Sequence, residues 1–141
     1  DRMRSPKGTS PSSVSGVRIT NVKVKDADAR YACIIYGIED HPIRQVAISH
    51  FEVQYRGGLT MKDYNEQIGC NTFFSGRKEN NYPEPSAHGI QPAWGWSLQH
   101  VDGLYLEDVK MTLMKPDERP QVFLKDVKNM VETTTPSIPN D

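Results

Sequence analysis

The chain has 141 residues, of which 36% are hydrophobic, and its 17 basic and 18 acidic residues leave a formal net charge of -1. This length fits one domain, and the low apolar share favours an elongated structure with a thin core. The balanced charge gives no reason to expect a nucleic acid, and no apolar run approaches the roughly 18 residues of a membrane-spanning helix. The sequence therefore predicts neither a nucleic-acid nor a membrane partner.

The two ends of the chain are polar. Residues 1–15 are rich in Ser, Pro and Gly, as expected for a flexible lead-in, and residues 132–141 have the character of a tail. The first residue is Asp and no signal-peptide pattern follows it, so we expect a processed or partial chain. The two cysteines predict no metal site. Cys33 is expected in the core and Cys70 in a loop, and a disulfide between them is left open.

A short pattern recurs between these ends. Apolar and polar residues alternate, one polar residue interrupts the alternation, and the alternation resumes, which predicts a strand with one buried face and a bend at the interruption. The copies are Gly16–Val24, Gln45–Val53, Gly103–Met111 and, more loosely, Gln121–Asn129. The interrupting residues are Asn21, His50, Asp108 and Asp126.

The spacing of the copies indicates stacked turns of a solenoid. Val17 and Val46 are 29 residues apart, and Leu104 follows Val46 by 58, which is twice that interval. Because no helical period is convincing, we predict an all-β parallel β-helix over residues 16–131. Val17, Ile19, Val22 and Val24 should then stack on Val46, Ile48, Phe51 and Val53. The doubled interval predicts a long irregular insertion at about residues 57–93, with one distorted coil inside it.

Two long motifs resemble the late coils of bacterial family-28 glycoside hydrolases, the polygalacturonase family. The first is "IIYGIEDHPIRQVAISHFEVQYRGG", with a strand ending in Gly, a Pro-Ile coil start and a terminal Gly-Gly. The second is "YPEPSAHGIQPAWGWSLQHVDGLYLEDVKM", and "PDERPQVFLKDV" then resembles the family's D-x-RP turn. The similarity covers about residues 16–130.

This resemblance implies a right-handed β-helix that is the C-terminal part of an enzyme. Such an enzyme hydrolyses an acidic, pectin-like plant polysaccharide outside the cytoplasm, in a secreted or periplasmic setting. The family's catalytic N-x-D, D-D and G-H-G motifs and its R-I-K motif do not occur in this chain. We therefore expect no catalytic residue here, no metal and no cofactor. The remaining N-terminal part, or another chain, should cover the open end of the β-helix. A non-catalytic polysaccharide-binding module and a polysaccharide lyase are the alternatives.

The insertion carries the residues most suited to binding a sugar. Aromatic rings pack against sugar faces, and arginine holds a uronate carboxylate through paired hydrogen bonds. The predicted substrate-binding residues are Arg56, Arg77, Tyr82, Glu84, His88 and Trp94. A plainer interpretation also stands: Trp94 and Trp96 cover the side of the coil. The acidic pairs Glu39-Asp40 and Asp117-Glu118 are expected to be solvated turn carboxylates.

Overall fold

The computed structural model describes residues 8–68 and 88–133. Along the chain lie β1 (Ser15–Ala27), β2 (Cys33–Tyr36), β3 (Ile43–Gly57), helix α1 (Met61–Glu66), β4 (Trp96–Lys115) and β5 (Val122–Thr133). Strand β3 lies between β1 and β4, and both β2 and β5 pair with β4. These pairs are all parallel, and the sheet curls into a half-barrel. The predicted all-β class with stacked parallel strands is thus confirmed at this level.

The predicted stacking of β1 on β3 is confirmed residue by residue. The register partners are Val17 with Val46, Ile19 with Ile48, Val22 with Phe51, and Val24 with Val53. The apolar residues of both strands therefore share one face, as their common alternation requires.

The doubled interval between the second and third copies is a single step of the stack. Val46 pairs directly with Leu104, so no coil lies between β3 and β4. The expected distorted coil is therefore not part of the stack at this place. The chain instead leaves the sheet after β3 and returns to it at β4. Helix α1 is the first described element between these two strands.

The polar residues that interrupt the alternation form bends. Asn21, His50 and Asp108 have positive φ angles of 57°, 51° and 50°. Short polar side chains tolerate this left-handed conformation better than apolar ones do. The three residues occupy equivalent places in β1, β3 and β4, and Nδ1 of His50 lies 2.9 Å from Oδ2 of Asp108. The predicted bend is present at each copy.

The alignment of the fourth copy is wrong. Val122 pairs with Trp96, so Asp126 lies beside His100 and not beside Asp108. Nδ1 of His100 is 2.8 Å from Oδ2 of Asp126, and both residues have a φ near 50°. The pattern occurs twice in β4, once around His100 and once around Asp108, and alternation alone does not distinguish the two places.

The core lies between the middle strands and is open at both outer ones. Ile48 and Leu106 are each 1% exposed, whereas their register partner Ile19 in β1 is 38% exposed. At the other side, Leu98 is fully buried and its partner Leu124 in β5 is 49% exposed. Equivalent apolar positions therefore differ only in whether a further strand covers them.

Two glycines of the sequence motifs occupy places where a side chain does not fit. Gly57 has a φ of 66°, and a Cβ there would overlap the carbonyl oxygen of Lys115 on β4. A Cβ at Gly37 would overlap the carbonyl oxygen of His100. Glycine thus allows close backbone approach at both positions. Among the helices of the described residues, none is long and apolar enough to cross a membrane.

Candidate functional site

The two ends of the insertion meet at helix α1. Thr60 caps the helix by accepting a hydrogen bond from the Asp63 backbone N–H, and the Asp63 carboxylate accepts one from the Thr60 N–H. This reciprocal pair is a capping box. At the other end of the helix, Gln67 Oε1 accepts a hydrogen bond of 2.7 Å from the backbone N–H of Ile90. Residues on both sides of the insertion are therefore held together.

A buried ion pair links the insertion to the turn between β4 and β5. The guanidinium of Arg119 donates two hydrogen bonds of 2.9 Å to Asp117, and both side chains are 0% exposed. Arg119 also donates to the carbonyl oxygens of Ala29 and Gln91, while Asp117 accepts from the backbone N–H of Leu59. Burial opposes ionisation of Asp117, but the hydrogen bonds from Arg119 outweigh it and lower the pKa of the carboxyl.

The expectation that Asp117 is a solvated turn carboxylate is wrong. The D-x-R spacing places carboxylate and guanidinium on one side of a tight turn, where they bond to each other. The sequence interpretation assigned Asp117 and Glu118 the same surroundings. Only Glu118 is exposed, and it accepts a hydrogen bond from the Met61 N–H. The motif therefore has a structural role at Asp117 and Arg119.

A polar group, the Tyr36 cluster, lies where the insertion returns to the sheet, with Gln91 and Ser97 buried and Tyr36 and His88 half-buried. It consists of Tyr36, His88, Gln91 and Ser97. The Tyr36 hydroxyl donates to Gln91 Oε1 at 2.6 Å and lies 2.5 Å from Ser97 Oγ. The His88 ring meets the Tyr36 ring edge-on, with 5.3 Å between centroids. Sequence reasoning found only His88 of these four.

The chemistry of the Tyr36 cluster is hydrogen bonding without an acid. Burial raises the pKa of Tyr36, so its hydroxyl stays protonated at neutral pH. The amide of Gln91 is held by its own bond to the Gly89 carbonyl oxygen. Hydroxyl and amide groups fixed in this way suit the hydroxyl groups of a sugar. A strand-ending "Y-G" and a Gln before Pro carry no signal that would have predicted the cluster.

The predicted site residues lie in different surroundings. Arg77, Tyr82 and Glu84 lie outside the described residues. His88 belongs to the Tyr36 cluster. Arg56 is the second-last residue of β3 and donates hydrogen bonds of 2.7 and 3.1 Å to the Asp26 carboxylate.

Trp94 and Trp96 both pack toward the core. The Trp94 ring is half-buried and meets the Tyr55 ring edge-on at 6.0 Å, while Trp96 is 5% exposed and stacks on Phe51 at 5.6 Å. Tyr55 is 2% exposed and donates a hydrogen bond to the thiol of Cys33, whose pKa burial raises. Packing of this kind is what the plainer interpretation of the two tryptophans describes.

Three carboxylates of the described residues are each held by a basic or imidazole partner. Asp26, Asp117 and Asp126 hydrogen-bond to Arg56, Arg119 and His100, and these bonds lower the pKa of each carboxyl. A general acid in glycoside hydrolysis needs the opposite, a raised pKa. Within residues 8–68 and 88–133, no group of three His, Cys, Asp or Glu side chains is placed to hold a metal ion.

Comparisons with protein-family models, with curated proteins and with solved structures each found no match to this chain.

Proposed function

We propose that this chain is the C-terminal part of a secreted or periplasmic glycoside hydrolase, a right-handed parallel β-helix that acts on a pectin-like, galacturonate-containing polysaccharide. Its catalytic acid pair lies in polypeptide upstream of this chain. The described part supplies coils of the solenoid and one wall of the sugar cleft.

The observation that carries the proposal concerns the motif residues on which the family resemblance rests. These residues lie at buried or closely packed positions of the fold. Gly37 and Gly57 stand where the backbone of β4 leaves no room for a Cβ. Ala93, in the Pro-Ala-Trp-Gly stretch of the second quoted motif, is 0% exposed. Asp117 and Arg119 of the D-x-RP turn form the buried ion pair. Residues shared with the family pattern are thus those that the stacked coils require.

The Tyr36 cluster is the proposed recognition site for sugar hydroxyls. In the sequence, His88 of this cluster follows Arg77, Tyr82 and Glu84, the candidates for contacts with uronate rings and carboxylates. Since His88 contacts Tyr36 at 5.3 Å between ring centroids, a ligand that contacts the imidazole edge also lies near the hydroxyl network.

The isolated chain is expected to release no reducing ends from polygalacturonate, because the catalytic motifs of the family that it resembles do not occur in it. The same chain joined to its upstream polypeptide is expected to release them. A reducing-end assay on both proteins checks this, and the longer protein with its upstream acid pair changed to amides is the control. Hydrolysis by the isolated chain, or none by the longer protein, would contradict the proposal.

A second candidate is a non-catalytic β-helical module that binds polysaccharide or assembles with another chain. The observation that favours it is the pairing of Asp26, Asp117 and Asp126 with cationic or imidazole partners. Binding of oligogalacturonate without hydrolysis in the longer protein would select this candidate.

We expect the preceding coil to pack against the open side of β1. Ile19 is 38% exposed where the equivalent Ile48 is 1% exposed, so Ile19→Ala should cost much less unfolding free energy than Ile48→Ala, whose cavity should cost roughly 2–5 kcal/mol. In the longer protein the two costs should become similar, because an upstream coil covers Ile19. Urea unfolding of both variants in both proteins measures this. A small loss of unfolding free energy for Ile19→Ala in the longer protein would show that the β1 edge stays uncovered.

A further inference from the structure

A groove crosses the solvent-facing side of four neighbouring strands at their first bend. The bend residues are Gly16, Gln45, Gly103 and Asn129, with φ angles of 74°, 54°, 88° and 54°. Their flanking residues are register partners, so the four bends lie side by side. The groove has a volume of about 370 Å³. With strands about 4.8 Å apart it crosses roughly 14 Å, which is long enough for a short chain of rings.

One row of outward side chains gives this groove its chemistry. Arg18, Ala47, Tyr105 and Val131 are successive register partners across β1, β3, β4 and β5. They alternate with the buried Val46 and Leu104 and so face away from the core. Ala47 is the smallest of the row and forms a low floor between the guanidinium of Arg18 and the ring of Tyr105. We call this feature the Tyr105 groove.

The ring of Tyr105 is available to a ligand. Tyr105 is 42% exposed, and its hydroxyl lies 3.5 Å from Thr133 Oγ1 on the neighbouring strand. An exposed aromatic face with one polar end favours ligands that have both an apolar face and hydroxyl groups, as sugars do.

The Tyr105 groove also carries an uncompensated cation. Among residues 8–68 and 88–133, no acidic side chain forms an ion pair with Arg18. Arg18 stands two strands from Tyr105, or about 10 Å. A guanidinium can hold one carboxylate through two parallel hydrogen bonds.

A second groove, at the next bend, serves as an internal comparison. It has a volume of about 300 Å³ and is lined by two lysines, Lys23 and Lys110, and by two carboxylates, Glu52 and Asp108. Its formal charges therefore cancel, and Lys23 lies 3.6 Å from Glu52. The Tyr105 groove is lined by Arg18 as its one charged residue. The two grooves thus share the fold but differ in charge.

We propose that the Tyr105 groove binds a segment of acidic polysaccharide, with one sugar ring packed on Tyr105 and a uronate carboxylate on Arg18, above Ala47. The choice of ligand rests on the proposed function, but the site is separate from the Tyr36 cluster and does no chemistry. Such a site would hold the polymer on the outer face of the coils while another segment is in the cleft.

The test is binding of trigalacturonate to the full chain, followed by calorimetry, beside the methyl ester of the same trimer. Arg18→Gln and Tyr105→Ala should each weaken trigalacturonate binding roughly tenfold or more, since a charged hydrogen-bond partner or a ring contact is lost. The matched controls are Lys23→Gln, which removes the same charge from the same strand, and Tyr105→Phe, which keeps the ring. Both should bind as the parent does. Circular dichroism checks that every variant is folded.

The proposal is overturned if the folded parent binds no trigalacturonate, if Arg18→Gln binds as the parent does, or if the methyl ester binds equally well. Equal binding of a short oligonucleotide with the same dependence on Arg18 would show a general anion site and would also overturn it. Hydrolysis by the longer protein does not enter this assay. The failure of either proposal can therefore be told from the failure of the other.

Discussion

Asp117→Asn is expected to lower the free energy of unfolding by roughly 3–5 kcal/mol, as removal of one partner from a buried ion pair does. The substitution leaves the Arg119 charge with 0% exposed side-chain area and with carbonyl oxygens as its described partners. It also weakens the bond that holds the Leu59 N–H. Chemical denaturation followed by circular dichroism measures the loss.

Two further variants separate burial from charge. The double change Asp117→Leu with Arg119→Met should be less destabilising than Asp117→Asn, because no buried charge is left alone. Asp28→Asn breaks a pair of similar geometry, with 2.8 Å between Arg30 and Asp28, but at 38% exposure of the carboxylate. It should cost far less. If the Asp117→Asn protein is as stable as the parent, the ion pair does not hold the insertion in place.

The same pair predicts how stability varies with acid. The pKa of Asp117 lies below its ordinary value of 3.8 in the folded chain. The unfolded chain therefore binds more protons in this range, and the stability contribution is present above the ordinary pKa and is lost as the pH falls through the lowered one. Asp117→Asn should flatten the fall of stability as the pH drops below the ordinary carboxyl pKa of 3.8. An unchanged acid profile would argue against the pair as its cause.

Leu98→Ala is the second large effect that we expect, with a loss of roughly 2–5 kcal/mol from a cavity in the core. Leu98 is 0% exposed in β4, between β2 and β5. Its side chain is covered on both sides by neighbouring strands, so few atoms can relax into the space.

Leu124→Ala is the matched control for this prediction. Leu124 is the register partner of Leu98 in β5, and its substitution removes the same atoms. Leu124 is, however, 49% exposed. Its loss should be clearly smaller, with an unchanged dependence on urea concentration in both variants. Equal losses would mean that β5 is as well covered in solution as β4.

Local patterns in the sequence predicted the strands that stack at a constant interval. Val17 and Val46 carry the same alternation 29 residues apart, and a period of two residues determines which side chains share a face. The bends at Asn21, His50 and Asp108 followed in the same way, because a polar residue that breaks an alternating strand marks a change of backbone direction. These properties depend on neighbours along the chain.

The remaining features depend on which distant segments meet. Alternation fits β5 equally well at Asp108 and at His100, and only the packed sheet places Asp126 at His100. Among the candidate residues, Trp94 proved to pack on Tyr55, and Tyr36, Gln91 and Ser97 came together from separate segments. Burial of Asp117 with Arg119 likewise required the loops at Ala29 and Gln91. Side-chain burial and charge pairing are properties of the folded surface, and a linear pattern does not contain the partners that decide them.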